Sequence, residues 1–192
     1  MKQKVLLASN NAHKIKEIRA ILGDFFDIVS LREAGVESDP EETGKTFEEN
    51  ARIKASGMPC IADDSGLEVL ALDCRPGVMS ARYSGSHGDD AANNEKLLAE
   101  LADKPDRSAR YVCVICMAFP DGRELEARGE CYGEILKEKR GNGGFGYDPL
   151  FYFPQFGKTF AEISSEEKNE VSHRNAALKA FEKLWEKEIN DK

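Results

Sequence analysis

A chain of 192 residues can bury one sizeable core, or two lobes sharing a core, and its 41% hydrophobic and 32% charged residues are ordinary for a soluble globular protein. No stretch reaches the roughly 18 apolar residues of a membrane span, and the apolar run after the basic start is too short for a signal core, so a cytoplasmic location is expected. The net charge of −8 argues against a long nucleic-acid polymer as partner, while leaving room for a small phosphorylated ligand met by local cations or by a metal on carboxylates.

In chain order, KVLLAS reads as a buried strand ending at the turn SNNAHK. A helix follows, with Ile15, Ile18, Ile21 and Leu22 at helical spacing and Ser9, Asn10 or Asn11 as possible caps. FDIVSL is a second short strand, and residues 33–45 form an acidic loop rich in turn residues. Thr46 and Glu49 match a capping box that opens the short helix FEENARIKAS. CIADDSGLEVLAL then reads as strand, turn and a second strand or extended chain. DCRPGVMSARYSGSHG carries too much Gly, Pro and Ser for regular structure.

DDAANNEKLLAELA is an amphipathic helix, and ARYVCVICMAF and RELEARGECYGEIL are strands joined by PDG as a hairpin. The glycine-dense loop KEKRGNGGFGYDPLF leads into apolar residues. Ser164 and Glu167 form another capping box, and a helix then runs towards the C-terminus with Ala177, Leu178, Phe181, Leu184, Trp185 and Ile189 on its inner face. The mixture is α/β, with hairpin and crossover connections and no repeat or linker, consistent with one domain over 1–192.

The five cysteines are scattered. Cys113 and Cys116 form a lone C-x-x-C on a strand, where positions three apart face opposite sides, so they are expected to be buried reduced thiols and no metal pair.

Several stretches carry candidate chemistry. DPEETGKT ends like a phosphate-binding P-loop, but Asp39 stands where the opening glycine belongs and two glutamates inside the loop would repel phosphate. That acidity suits a divalent cation instead: Glu41 and Glu42, with Asp63 or Asp64, could supply oxygen ligands for magnesium, or the glutamates could belong to a solvated loop. Adjacent strand residues face opposite sides, so only one of Asp63 and Asp64 readily enters a given pocket. Asp64, next to the Ser65-Gly66 turn, is the better placed at a strand end, unless the carboxylate serves a plain Asx-turn. SNNAHK presents polar side chains and free N–H groups at a helix N-terminus with Lys14 in the first turn, an arrangement that favours phosphate. KNEVSHRN sets Lys168, His173 and Arg174 around a break between two helical pieces. In GNGGFGYDPLF, Gly141, Gly143, Gly144 and Gly146 alternate with Phe145 and Tyr147, which offers close backbone approach and an aromatic face to a planar base, or else core anchors.

Together SNNAHK, EETGKTFEENARIKA, ADDSGL, RPGVMSARYSG, GGFGYDPLF and EKNEVSHR resemble, in order and over nearly the whole chain, the inosine/xanthosine triphosphate pyrophosphatase family of house-cleaning purine nucleotide hydrolases. The resemblance implies an elongated two-lobed α/β fold around a long mixed β-sheet flanked by helices, and a homodimer. It implies Mg²⁺-dependent cleavage of ITP, dITP or XTP between the α- and β-phosphates, giving monophosphate and pyrophosphate. By motif position Ser9, Asn10, Asn11, Ala12, His13 and Lys14 would touch the substrate phosphates, and Glu41 would help to hold the metal. Asp64 would be catalytic base and metal contact, with Ser65 on the substrate. Asp63 would point away, bonded to backbone or supporting its neighbour. Phe145, Gly146, Tyr147, Asp148, Lys168, His173 and Arg174 would complete the nucleotide site.

The chain departs from the family pattern between FEENARIKA and CIADDSGL, where only SGMP intervenes and roughly one to two helical turns are missing. That shortening bears on lobe spacing near the metal loop and on the dimer contact. His13 and Met79 also replace a more usual glycine and aromatic residue. Two other readings are a pyrophosphatase for other modified nucleotides and a non-catalytic nucleotide sensor.

Overall fold

The computed structural model describes residues 2–9, 11–35 and 60–190. Its strands are β1 (Gln3–Leu7), β2 (Phe26–Ser30), β3 (Cys60–Val69), β4 (Arg75–Pro76), β5 (Ser108–Ala118), β6 (Glu124–Ile135), β7 (Phe151–Phe153) and β8 (Lys158–Thr159). The helices are α1 (Ala12–Leu22), α2 (Leu31–Ala34), α3 (Asp90–Glu100), α4 (Ser165–Val171) and α5 (His173–Asn190). The strands form one sheet in the order β2-β1-β3-β5-β6-β7-β8, with β4 also pairing β3. β1 runs parallel to β2 and β3, whereas β3·β4, β6·β7 and β7·β8 are antiparallel, so the sheet is mixed.

Contacts divide the chain into two compact units. The first holds Met1–Ser65, Cys113–Gly129 and His173–Lys192. Its core joins Val5 and Leu7 of β1, Ile18 and Leu22 of α1, Phe26 and Ile28 of β2, and Ile115 and Met117 of β5 to Leu178, Phe181 and Trp185 of α5. Asn11 supplies the α1 cap, its side-chain oxygen accepting the Lys14 N–H at 3.3 Å. The turn between β5 and β6 closes through the Phe119 N–H on the Arg123 carbonyl, as expected for a hairpin around PDG. The second unit holds Gly66–Val112 and Glu130–Ser172. Its core gathers Leu67, Val69, Leu97, Tyr111, Ile135, Tyr147, Phe151 and Phe160. Tyr111 lies 4.6 Å from Phe151 and stacks at 6.0 Å on Phe160.

Four expectations are corrected. No turn interrupts β3: it runs from Cys60 to Val69 straight through Asp63, Asp64, Ser65 and Gly66. Local propensity favours a turn there, but tertiary ion pairs described below make the buried extended conformation tolerable. Glu33 and Ala34 belong to α2, where Ser30 and Glu33 form a reciprocal capping box, and the loop begins after them. The Gly- and Pro-rich segment contains β4 and a 3₁₀ turn over Gly77–Arg82. On α5, Leu184 is 39% and Ile189 50% exposed, because helical periodicity marks a face and not the place where the core beneath it ends. The Thr46/Glu49 helix lies outside the described residues.

Among the described residues no helix is long and apolar enough to cross a membrane. All five cysteines are free thiols, and Cys60, Cys113, Cys116 and Cys131 are buried. Burial pushes the thiols of Cys60, Cys113 and Cys131 up to about 12, with Asp63 adding to the effect at Cys113. Above the ordinary thiol range the unfolded chain ionises these groups while the folded one still holds their protons. Stability is therefore expected to be full below about pH 8.5 and to fall as pH rises towards the folded values. Urea titrations from pH 7.5 to 10.5 should show that decline, and it should be shallower in Cys131→Ala than in the parent.

Candidate functional site

The middle of β3 carries the sequence feature that most needs compensation. Its pairing with β1 ends at Leu7↔Ile61, and its pairing with β4 begins at Glu68↔Pro76, so Asp63, Asp64 and Ser65 occupy the stretch between. Asp63 is 1% exposed and Asp64 6%. A buried carboxylate must be paired to remain ionised. Lys14, in the first turn of α1, brings its ammonium to 2.9 Å from Asp63 Oδ2, and the Arg174 guanidinium at the start of α5 lies 3.5 Å from the same oxygen. Arg174 also donates to Glu17 Oε2 at 2.6 Å and to Ser65 Oγ at 3.1 Å. Burial opposes the Arg174 charge, yet Asp63 and Glu17 outweigh it and hold its pKa above the ordinary guanidinium value. The result is an alternating chain of charge, Lys14, Asp63, Arg174 and Glu17, built from α1, β3 and α5.

Asp64 has different surroundings. Its Oδ1 accepts the Ser65 N–H at 3.0 Å. The ion pairs of Lys14 and Arg174 among the described residues go to Asp63 and Glu17. Asp63 is thus engaged with two expected substrate-binding cations, a contact that the outward-pointing expectation does not include. Ser9 accepts the Asn11 N–H at 3.2 Å, which orders the chain entering α1 beside Ala12 and Lys14. His173, the first residue of α5, is buried. Asn10, Glu41 and Glu42 lie outside the described residues, and of His13 only the helical backbone is described.

The second unit holds the glycine loop. Asp148, 1% exposed, is its hub. Its carboxylate accepts the Phe145 N–H at 2.9 Å, the Lys168 ammonium at 2.5 Å and the Tyr111 hydroxyl at 3.2 Å. Burial, then the nearby Asp148 charge, raise the Tyr111 pKa well above its ordinary value, so that hydroxyl stays a donor. Lys168 sits 4.4 Å from the Phe145 ring centroid and 5.5 Å from that of Phe160, favourable cation–aromatic geometry. A Cβ on Gly144 would collide with the Asp148 carboxylate, so this position must stay bare for the hub to form. The two loop aromatics divide: Phe145 is 41% exposed, while Tyr147 is buried and donates to the Ser80 carbonyl at 2.9 Å. Phe145 can offer a stacking face; Tyr147 is the core anchor.

A model of the Ham1 family matches residues 5–184, spanning nearly the whole chain. The chain belongs to the Ham1 family. It is 52% identical to a dITP/XTP pyrophosphatase of Clostridium perfringens, over 92% of this chain and 94% of that protein. It is 56% identical to a dITP/XTP pyrophosphatase of Desulfotalea psychrophila, over 91% of this chain and 81% of that protein. The solved structure of the Staphylococcus aureus Ham1 protein matches with a TM-score of 0.89 at 44% identity, covering 97% of this chain and all of that one.

In this Ham1 chain the sequence pointed to Lys14, Arg174, Asp148 and Lys168 but missed some of their partners. Glu17 carried a signal, since three residues after Lys14 it shares that face of α1. Tyr111 carried none, because a tyrosine in an apolar strand reads as core. Replacing Asp63 with Asn would leave Lys14 and Arg174 facing a neutral amide. Breaking such a buried pair from one side costs about 3–5 kcal/mol. Urea unfolding of Asp63→Asn should show a loss of that order, and Asp63→Asn with Lys14→Met should lose less than the two single changes added.

Proposed function

We propose that this chain hydrolyses the non-standard purine triphosphates ITP, dITP and XTP to monophosphate and pyrophosphate, clearing them from the nucleotide pool. The observation that carries the reading is the middle of β3, where Lys14 and Arg174 compensate Asp63 and the adjacent buried Asp64 stands beside Ser65. The names of the close relatives support it.

Hydrolysis of a phosphoric anhydride asks chiefly for placement and for cancellation of phosphate charge. Lys14, in the first turn of α1, supplies one cation, and the N–H groups that open that helix, with Ser9, Asn10, Asn11, Ala12 and His13, supply neutral donors. Ser65 is assigned to the substrate phosphates. Asp64 is assigned to a water: it orients the attacking oxygen towards the α-phosphorus and takes its proton. The buried Asp64 carboxylate is a hard-oxygen donor of the kind magnesium accepts, so it fits that ion, and Asp64 with Glu41 would hold it. When bound, Mg²⁺ would spread the charge developing on the phosphate oxygens. Phe145 is assigned to stack on the purine, with Gly146, Tyr147 and Asp148 shaping its loop. Lys168, His173 and Arg174 are assigned to the nucleotide, and a fixed N–H donor would favour the 6-keto oxygen that separates hypoxanthine and xanthine from adenine. By resemblance the enzyme is a cytoplasmic homodimer with no role on polymeric nucleic acid or membranes.

Incubation with ITP, dITP, XTP, ATP and GTP in Mg²⁺, with products resolved by anion exchange, tests the reading. Inosine, deoxyinosine or xanthosine monophosphate, according to the substrate, and pyrophosphate are expected. Orthophosphate with a diphosphate would overturn α–β cleavage, and nucleotide binding without turnover would make the chain a sensor. Asp64→Asn should lose at least about 10²–10⁴-fold in kcat, the typical share of general-base help, while remaining folded.

A further inference from the structure

We propose that α3 positions the purine-binding loop: Asp90 and Asn94, one helical turn apart, grip the two peptide units flanking Gly146 and so fix Phe145 and Asp148 for the base. The proposal rests on the nucleotide-binding role given above to Phe145 through Asp148. The Gly146 N–H donates to Asp90 Oδ2 at 2.7 Å. The Asn94 amide nitrogen donates to the Gly146 carbonyl at 2.8 Å and to the Asp90 carbonyl at 2.6 Å. Both peptides around one glycine are therefore tied to the same helix.

The loop needs such a constraint. Gly141, Gly144 and Gly146 all have positive φ, and a Cβ built on Gly146 would meet nothing within 4 Å. Sterics thus leave Gly146 unrestrained, and hydrogen bonds must supply the order that a bulkier residue would bring. Phe145 is bound on one side by Asp148 through its own N–H, and α3 holds the next residue. Without α3 the loop would lose its tether on the Gly146 side of Phe145.

Two details separate this role from ordinary helix capping. The N-cap of α3 is Asp89, whose Oδ1 accepts the Ala92 N–H at 3.0 Å, so the Asp90 carboxylate is spent on the loop. Asn94 is 3% exposed, and its two acceptors are both carbonyls, which fixes the NH₂ end of the amide towards them. Aspartate there would set a carboxylate oxygen against two carbonyl oxygens.

Steady-state kinetics on ITP, with amide exchange of the segment 140–150, test the proposal. Asp90→Ala and Asn94→Ala should each raise KM about tenfold with kcat nearly unchanged, the scale of one lost hydrogen bond, and should lose exchange protection at Gly146. Asp90→Asn retains an acceptor and should restore both readouts; Asn94→Asp should be worse than Asn94→Ala. Asp89→Ala removes the helix cap, so it should lower Tm while leaving KM and loop protection as in the parent. An unchanged KM in folded Asp90→Ala and Asn94→Ala, or the same KM rise in Asp89→Ala, would overturn the positioning role. Failure of the parent protein itself to hydrolyse ITP, dITP or XTP would overturn the functional reading and the base-positioning role together.

Discussion

The first unit is organised around one buried negative charge. Asp63 sits 1% exposed within β3, where an isolated carboxylate would be too costly to keep ionised. Its compensation comes from α1 through Lys14 and from α5 through Arg174, and Arg174 in turn needs Glu17 on α1. These bonds tie α1 and α5 to one point on β3, so their starting residues cannot shift without uncovering a charge. Replacing the whole charge chain with well-packed apolar side chains would cost little or no stability, whereas removing one member exposes the rest. A charge chain of this kind is better understood as a device for placing Lys14, Ser65 and Arg174 than as a source of folding energy.

The second unit solves a different problem with the same currency of buried polar bonds. A glycine-rich loop has high freedom to lose, and ordering it through backbone sterics alone would require side chains that the loop lacks. Asp148 binds the loop to Lys168 and Tyr111, and the buried Tyr147 hydroxyl binds it to the Ser80 carbonyl. The ring of Phe145, with the Lys168 ammonium 4.4 Å from its centroid, is the half-exposed aromatic face of this tethered segment. Aromatic residues between the glycines therefore have unlike duties, one facing outward and one rooted in the core.

Elements whose signals are local were legible in the sequence. The α1 cap at Asn11, the capping box of Ser164 and Glu167 that opens α4, the break at Ser172 and the hairpin at Phe119–Arg123 depend on neighbours in the chain. The course of β3 was not legible, because what straightens the chain through Asp63 and Asp64 is supplied by residues about 50 positions earlier and more than 100 later, Lys14 and Arg174. The candidate site divides in the same way. Residue types with evident chemistry stood out, whereas Asp90 and Asn94 looked like the polar face of an amphipathic helix, the usual meaning of such residues. Their purpose appears only when Gly146, more than 50 residues away, is placed against them.

The two adjacent aspartates can now be given separate electrostatic roles. A polyphosphate approaching two buried, uncompensated carboxylates would be repelled, and each carboxylate would also oppose ionisation of the other. Two cations around Asp63 remove that conflict at one of the two positions. Lys14 and Arg174 both pair with Asp63, while the Asp64 carboxylate accepts the Ser65 N–H. The same neutralisation that makes Asp63 affordable in the core leaves Asp64 as the carboxylate to which the proposed proton-accepting and metal-holding duties fall. Asp63 therefore acts through charge balance, and its loss should be felt first in stability and in the placement of Lys14 and Arg174, before any direct effect on the chemical step.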